Sequence, residues 1–433
     1  MKNIFFLSIF SCIMLISMQS GYAQENLSLS LEQAKQYAVA HNRSMKNAEL
    51  SVKKAESDRW QTLATMLPQV NGSFDYQNYM GYEAELSMGG IPVKIPMNPN
   101  GALGLTASMS LSGQQIVGTL MSNLAIEMAK INDNKNDQTL KNQVTNVYVS
   151  IIASEKSLSL LDSSLSNIYQ IQSVTENALK AGVAEKTDID QIKVQVASMR
   201  NTLNSTKRSI EILYNSLRLL IGCQVNSTLV LTDPLDKLLN VDAAKQLLNS
   251  QFQLQSNYDY QLMQKNIDLA NQQVWMNAVE YFPSINLFYQ YSYKTYFDKD
   301  AGFNMSPPNL FGIGLKVPIW SSGVRATKVR SAQIDREMVK NNFSTVEDNL
   351  LIQDKQLRYN LTSAIEAYEL QKENIDVSQS VFESYTRKYQ YGTASSLDVT
   401  NSSNNLISSQ SNYIRAILDM VNAQINLENL LNK

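Results

Sequence analysis

Two matching stretches of the chain decide its fold. Residues 60–76 read WQTLATMLPQVNGSFDY, and residues 275–291 read WMNAVEYFPSINLFYQY. In each stretch, a tryptophan is followed eight residues later by a proline, and apolar residues recur at every second position beyond it. Proline ends helices, and a period of two is typical of a β-strand with two different faces. Each stretch therefore predicts a helix that ends at a proline and passes directly into a strand.

The two stretches belong to a duplication that covers the chain beyond its N-terminus. A shift of 215 residues aligns Trp60 with Trp275 and Pro68 with Pro283. Further on, a shift of 210 residues aligns several identical pairs, namely Gly104 with Gly314, Leu105 with Leu315, Gly113 with Gly323, Gly182 with Gly392, and Asp188 with Asp398. Self-similarity of this kind is the signature of a repeat. We predict two structural repeats, residues 24–233 and 234–433, each built from a helix, two strands and a long helix pair.

The N-terminus has the organisation of a secretory signal peptide over residues 1–23. Lys2 supplies a positive charge, residues 4–18 are mostly apolar, and Ala23 ends a small-residue cleavage pattern. No later stretch reaches the roughly 18 apolar residues of a membrane helix. We expect an exported protein without a spanning helix, which would have to enter a membrane as a β-barrel.

Four segments alternate between apolar and polar residues, two in each repeat. We predict strands near residues 69–80, 101–112, 284–297 and 309–320. Each is about ten residues long, which is the length of a tilted membrane strand. Residues 281–297 contain eight aromatic side chains, as the interfacial girdle of a membrane barrel does. An edge of a soluble β-sandwich is the alternative, although four strands offer no second sheet.

The remaining segments have helical periodicity. We predict helices over residues 26–66, 114–181 and 186–221, and their counterparts in the second repeat. Apolar residues in 189–220 follow three-four spacing for more than four heptads, which is typical of a coiled-coil seam. The helix over 114–181 would be about 100 Å long at roughly 1.5 Å per residue.

Four strands cannot close a barrel, because about eight are the minimum. Three chains would supply twelve strands, an even number within the range of bacterial outer-membrane barrels. Two or four chains would close equally well by arithmetic. The sequence thus favours a mainly α fold with a β-barrel part, in which a trimer forms a 12-stranded barrel continued by an α-helical periplasmic tunnel. An exported coiled-coil structural or surface-adhesion protein is the alternative, and it leaves the four alternating strands unexplained.

Composition excludes several classes of function. Lys and Arg number 37 against 39 Asp and Glu, without blocks of like charge, so we expect no nucleic-acid partner. His41 is the only histidine, and Cys223 is the only cysteine beyond the signal peptide, so we expect no enzyme, no resident metal and no cofactor. Thioethers bind Cu(I), and Met80, Met88 and Met97 near one predicted loop keep copper export open as an alternative cargo.

Several motifs resemble the TolC-like outer-membrane efflux family across nearly the whole mature chain. The similar segments are residues 29–34 (LSLEQA), 67–70 (LPQV), Gly182 with Thr187-Asp188, and Tyr391-Gly392 with Leu397-Asp398-Val399. The resemblance implies a homotrimeric channel in the outer membrane with a closable inner end. That end would meet a periplasmic adaptor and, through it, an inner-membrane pump or secretion ATPase. Small molecules or proteins would then leave the cell through the channel, whose barrel contacts outer-membrane lipid.

The resemblance also implies site residues at the inner end. Asp398 matches a ring of carboxylates that narrows the tunnel, and the next acidic position of the family is Asn401 here. Hydrogen bonds that hold the end shut would involve Tyr389 with Thr187 and Asp188, whereas a basic partner found in some members falls at Ala394. The adaptor would contact two turns, Ala181-Gly182-Val183 and Tyr391-Gly392-Thr393.

From the residues alone, Asp188 and Asp398 have a second explanation. Acidic residues near a helix N-terminus accept hydrogen bonds from its free N–H groups. Both aspartates follow a turn, so each could simply cap the helix that starts there.

Overall fold

The computed structural model describes residues 26–297 and 307–432. The predicted signal peptide lies outside the described residues. The helices are α1 (Leu31–His41), α2 (Arg43–Ala64), α3 (Gly113–Lys180), α4 (Lys186–Ile221), α5 (Leu235–Leu238), α6 (Val241–Leu248), α7 (Tyr258–Ala278), α8 (Val324–Gln390) and α9 (Ser396–Leu431). The strands are β1 (Asn26–Leu29), β2 (Gln69–Gln77), β3 (Glu83–Met88), β4 (Ile91–Pro96), β5 (Asn100–Leu111), β6 (Thr228–Leu231), β7 (Ser284–Tyr296) and β8 (Asn309–Lys316).

Within residues 26–297 and 307–432, no helix combines the length and the apolar character that a membrane crossing requires.

The described residues form two compact units, and each draws on both halves of the sequence. The sheet unit comprises residues 47–135 and 253–351, and the helical unit comprises residues 26–46, 136–252 and 352–432. In the sheet unit, β5 of the first half pairs with β7 of the second half. These units do not coincide with the two predicted sequence repeats, residues 24–233 and 234–433, which stay a prediction.

The sheet unit contains a four-stranded antiparallel sheet in the order β2-β5-β7-β8. Because side chains alternate along each strand, the register sorts them onto two faces. The apolar face carries Val70, Phe74, Tyr76, Leu103, Leu105, Ala107, Met109, Leu111, Ile285, Leu287, Tyr289, Tyr291, Tyr293, Phe311, Ile313 and Leu315. The polar face carries Gln69, Asn71, Ser73, Asp75, Gln77, Asn100, Thr106, Ser108, Ser110, Ser284, Asn286, Gln290, Ser292, Lys294 and Lys316, with Phe288 packed over Gly312. The exceptions to this separation are Leu310 and Tyr296 on the polar face and Thr295 and Asn309 on the apolar face.

Two features of the strands differ from the sequence-based expectation. The last strand ends at Lys316, four residues before the predicted end at 320, because Pro318 has no N–H to continue the ladder. The predicted loop between β2 and β5 contains the hairpin β3–β4. Two glycines at positive φ, Gly89 and Gly90, form its two-residue turn, and such Gly-Gly turns match the twist of a hairpin.

The predicted single helix over residues 26–66 is wrong, because residues 26–29 form β1 and the helix is interrupted at Asn42. The Asn42 side chain donates from Nδ2 to the carbonyl of Leu220 at 2.7 Å. Its Oδ1 accepts from the N–H groups of Ser44 and Met45 at 2.6 and 3.3 Å, which caps α2. Asn42 therefore ends one helix, starts the next and anchors both to the C-terminal end of α4.

A buried carboxylate, Asp233, fastens the N-terminal segment of the helical unit. It accepts hydrogen bonds from the Leu31 N–H at 2.7 Å, the Lys237 ammonium at 2.7 Å and the Tyr148 hydroxyl at 3.4 Å. The bond from Lys237, followed by that from Leu31, lowers the pKa of Asp233. Tyr148 is fully buried, and its single hydroxyl proton is shared between the Leu29 carbonyl at 3.0 Å and the longer contact with Asp233, while the hydroxyl oxygen accepts from the Asp233 N–H at 3.3 Å.

The coiled-coil seam predicted from the sequence lies in the core of the helical unit. Its buried members on α4 include Ile189, Ile192, Val196, Met199, Leu203, Ile210 and Leu217. Four of them, Ile192, Val196, Met199 and Leu203, pack in one cluster with Leu165 and Ile168 of α3, Phe382 of α8 and Leu406 of α9. Leu217 belongs to a second cluster, with Leu140 and Tyr148 of α3. Burial of each large apolar side chain stabilises the folded state by about 1.5–3 kcal/mol, so these residues stabilise the side-by-side packing of the long helices.

Candidate functional site at the two helix turns

Two turns of equal length join the long helices in pairs. Residues 181–185 connect α3 to α4, and residues 391–395 connect α8 to α9. Gly182 and Gly392 adopt φ values of 76° and 74°, a left-handed conformation that other residues rarely adopt. The space beside each Cα is open, since a Cβ atom built there would meet nothing within 4 Å. The glycines are thus required by the backbone and not by crowding.

The same two backbone bonds close both turns. They run from the Gly182 N–H to the Leu179 carbonyl (3.0 Å), from Val183 to Ala178 (3.0 Å), from Gly392 to Tyr389 (3.0 Å) and from Thr393 to Lys388 (2.9 Å). This is the Schellman motif, in which the last carbonyls of a helix are satisfied by the chain that leaves it. The predicted equivalence of the two turns at a shift of 210 residues therefore extends to individual hydrogen bonds.

The turns expose apolar side chains to solvent. Val183 is 80% exposed and Tyr391 is 82% exposed. Ala181, Gly182, Gly392 and Thr393 are exposed as well, as are Thr187 and Asn401 in the helices that follow. These apolar side chains are therefore accessible from solvent at both turns.

Asp398 caps α9 from within its own turn. Its carboxylate accepts from the Ser395 hydroxyl at 2.7 Å and from the Ser395 N–H at 2.9 Å, and its own N–H donates to the Ser395 hydroxyl at 3.2 Å. These bonds, led by that from the Ser395 hydroxyl, hold the pKa of Asp398 below its ordinary value. Asp398 is therefore a charged carboxylate with only local partners among the described residues.

Asp188 has a different environment, although it occupies the equivalent position. It accepts from the Glu185 N–H at 3.0 Å, as a helix cap does, and from the hydroxyl of Ser396 in the other turn. Ser396 is 3% exposed, so this contact is sheltered from water. Asp188 thus links the first helix pair to the second, whereas Asp398 does not.

Tyr389 also links the helix pairs, but through an unexpected partner. Its hydroxyl lies 2.6 Å from the Thr175 hydroxyl, and it is not paired with Thr187 or Asp188 as the resemblance implied. Thr187 instead donates to Glu185 at 3.2 Å. Thr175 is on α3, two helical turns before the chain reverses, so the α8 side chain reaches α3 and not the turn itself. Tyr389 bonds to a residue of α3 because it lies within α8, one helical turn before Gly392.

A third polar link lies further along the helices. The Gln195 amide donates to the Asn404 amide oxygen at 2.9 Å, and Gln195 is buried. With Thr175–Tyr389 and Asp188–Ser396, it forms a set that we call the inter-pair links. Sequence reasoning missed Thr175, Ser396, Gln195 and Asn404. Only Thr175 carries a signal in the sequence, as a polar residue seven positions after Ile168 on the apolar stripe of α3; the other three do not continue an apolar stripe.

Within the described part of the chain, no group of three or more His, Cys, Asp or Glu side chains is arranged to hold a metal ion. His41 stacks on Tyr37 with ring centroids 4.0 Å apart, and its Nδ1 lies 3.0 Å from the Tyr37 carbonyl.

Long helix pairs closed by tight turns, on a chain that also carries a sheet with one apolar and one polar face, define a class. It is the class of outer-membrane proteins whose strands meet lipid on one face and water on the other, here with a large helical part. The model of the outer membrane efflux protein family matches residues 34–223 and 241–433. The chain belongs to that family, and it functions as an efflux duct located in the outer membrane with a periplasmic extension.

Individual proteins agree with this assignment. The antibiotic efflux pump outer membrane protein ArpC of Pseudomonas putida is 22% identical over 94% of this chain and 84% of its own length. CusC is a protein that forms a transmembrane channel. Its crystal structure superposes with a TM-score of 0.74 at 18% identity, over 96% of this chain and 95% of CusC. The outer membrane protein VceC of Vibrio cholerae superposes with a TM-score of 0.72 at 16% identity, over 93% and 95%. The TolC-like fold expected from the sequence is thereby confirmed.

Proposed function

We propose that three copies of this chain form one exit duct, in which their sheets close a 12-stranded barrel around a polar lumen. The observation that carries the proposal is the two-faced sheet, whose outer strands β2 and β8 each pair with a single strand among residues 26–297 and 307–432. Open edges with unpaired N–H and carbonyl groups are costly in a bilayer, where water cannot satisfy them. Pairing β2 of one copy with β8 of the next removes every edge.

The apolar face supports the same arrangement. Val70, Phe74, Phe311, Ile313 and Leu315 are each more than 60% exposed in the single chain. At about 25 cal/mol per Å², contact with lipid hydrocarbon makes such exposure favourable instead of costly. The polar face then lines a water-filled lumen, as in other large barrels.

The exposed turns support a periplasmic partner. In the proposed duct, Ala181-Gly182-Val183 and Tyr391-Gly392-Thr393 form the inner end and bind a periplasmic adaptor protein. The adaptor connects the duct to an inner-membrane pump or secretion ATPase, which supplies the energy, so the duct needs no catalytic residue or cofactor. ArpC is named an antibiotic efflux protein, and we propose small organic molecules as cargo, with proteins as the second class.

The same end carries the proposed gate. Three symmetry-related Asp398 carboxylates, whose charge is not shared with another helix, attract cations and hinder anions at the constriction. Asn401, one helical turn later, adds no second charged ring. Thr187, Asp188 and Tyr389 hold the end shut, the last two through the inter-pair links to Ser396 and Thr175.

Export completes the proposal. Residues 1–23 direct the chain across the inner membrane and are removed after Ala23, so the mature chain begins at Gln24.

Disulfide crosslinking between sheet edges tests the barrel. In a Cys223→Ser background, one cysteine replaces Ser73 on β2, and a second is scanned through the polar-face positions of β8. Within one chain, three strand spacings of about 4.8 Å separate these edges, which is too far for a disulfide. Every bridge must therefore join two copies. We expect a ladder that ends at three chains. Monomers throughout the scan, or a ladder that ends at two or four, would contradict the trimer.

Site-specific crosslinking tests the adaptor contact. A photo-crosslinker at Val183 should capture a periplasmic adaptor, identified by mass spectrometry. The control is Ile212 on α4, which is 65% exposed but far along the chain from either turn. Equal capture from both positions, or capture of outer-surface proteins only, would reverse the proposed orientation.

A further inference from the structure

The four strands of the main sheet carry three charged side chains. These are Asp75 on β2, Lys294 on β7 and Lys316 on β8. The register places all three on the polar face. Placement of all three charges on one face indicates that this face contacts water, because a charged side chain on the opposite, apolar face would destabilise the barrel in a membrane. The pattern of these charges along the face is therefore a property of the lumen.

Two of the three charges compensate each other. Asp75 pairs with Ala102 of β5, and Ala102 pairs with Lys294 of β7, so the carboxylate and the amine lie in one row on either side of a small residue. The Lys294 ammonium also lies 5.2 Å from the centre of the Tyr296 ring, a cation–π contact. This row of the sheet is electrically close to neutral.

Lys316 has no such compensation among the described residues. It pairs with Ser284 at the end of the sheet that adjoins the helices, and the next polar-face positions of β7 and β5 are Asn286 and Ser110. The carboxylate closest in sequence to Ser284 is Glu280, and it is already engaged by Lys328 at 2.9 and 3.0 Å. Lys316 is exposed and is joined to no carboxylate of the described chain.

We propose that Lys316 sets the charge preference of the lumen at the helix end of the sheet, where three copies form an uncompensated ring of amines that draws in anionic permeants. The inference rests on the proposed trimeric duct. At this end of the lumen the ring favours small molecules that bear a carboxylate or phosphate group, whereas the proposed Asp398 ring favours cations at the inner end. A ring of like charges in a narrow aqueous passage raises the local concentration of counter-ions and of charged cargo.

Reversal potentials in a planar bilayer test the proposal with the purified full-length assembly. Wild-type channels are placed in a KCl gradient and compared with Lys316→Gln and Lys316→Arg. We expect Lys316→Gln to lower the chloride-to-potassium permeability ratio by about two- to tenfold, because it removes the ring. Lys316→Arg keeps the charge and should leave the ratio unchanged. An unchanged ratio in Lys316→Gln, with normal channels, would overturn the role of Lys316 and leave the duct standing.

A chemical test separates the lumen position from an indirect effect. In a Cys223→Ser background, Lys316→Cys should react with a water-soluble, positively charged methanethiosulfonate and regain the wild-type ratio. Leu315→Cys, one residue away on the apolar face, should not respond to the reagent. Reaction at 315 but not at 316 would overturn the assignment of the faces. Failure of the wild type to form channels at all would overturn the duct itself, and the inference with it.

Discussion

Removal of one hydroxyl group from the inner end should open the duct. Thr175 donates its only hydroxyl proton to the Ile171 carbonyl at 2.9 Å, so in its 2.6 Å contact with Tyr389 the tyrosine is the donor. Tyr389→Phe removes that donor and leaves Thr175 with its helical bond intact. The loss is about 1 kcal/mol for one neutral hydrogen bond.

The symmetry of the proposed trimer multiplies the effect. If three copies open together, the change amounts to about 3 kcal/mol, or roughly a hundredfold in the ratio of open to closed channels. Single-channel recording of open probability measures this ratio directly. In cells, the same variant should admit a large antibiotic that the outer membrane normally excludes.

Tyr385→Phe is the matched control. Tyr385 lies one turn earlier on α8, and its ring is contacted by Lys388 at 5.6 Å from the ring centre. No hydrogen bond of its hydroxyl is found among the described residues, so open probability should not change. Equal opening in both variants would mean that ring packing is what matters. No opening in Tyr389→Phe would refute the role given to the inter-pair links.

Three further predictions concern single residues of the helical unit. Asp398→Ala should raise the single-channel conductance or weaken the block of the channel by cations. Because the pKa of Asp398 is lowered, cation block of the wild type should stay constant from pH 7 to about 5 and should fade only in stronger acid. The stability that the ionised Asp398 cap contributes should be lost over the same acidic range. Gly392→Ala should lower the free energy of unfolding, measured by denaturant titration, by about 1 kcal/mol, because of its positive φ alone. Gly222 has an almost equal φ, but a Cβ atom there would lie 2.5 Å from the His41 carbonyl oxygen. Gly222→Ala should therefore lower the free energy of unfolding by about 2 kcal/mol more than Gly392→Ala does. Asp233→Ala should lower the free energy of unfolding by about 2 kcal/mol in that titration, since it leaves the part-buried Leu31 N–H without its acceptor. An unchanged midpoint would contradict the role of Asp233 in fastening the N-terminal segment.

The sequence predicts regular elements well where one period dominates. The helix expected at residues 186–221 spans those residues, and that expected at 114–181 runs from Gly113 to Lys180. Apolar spacing, proline-free runs and glycine turns all point to the same answer there, and local and tertiary preferences agree.

Elements that depend on contacts between residues far apart in the chain could not be predicted from the sequence. Nothing in His41-Asn42-Arg43 announces that Asn42 will bond the Leu220 carbonyl, a residue 178 positions away. The parallel pairing of β1 with β6 has the same character, since four residues in each strand carry too few alternations to be recognised.

The positions of the two glycine turns could be predicted from the sequence, but the hydrogen-bond partners between the helix pairs could not. The duplication locates both glycine turns and both aspartates, because each turn has a local requirement for glycine and for a cap. Which side chain of one helix pair meets the other is decided by helix rotation and crossing, so Thr175 could not be chosen over Thr187 as the partner of Tyr389.

The most direct test of the duct is the mass of the mature protein, extracted from isolated outer membranes in mild detergent and measured by light scattering or native mass spectrometry. We expect an outer-membrane assembly of three chains that stays together on dilution. A monomer that washes off the membrane with salt would contradict the shared barrel and return the apolar face of the sheet to an unexplained state.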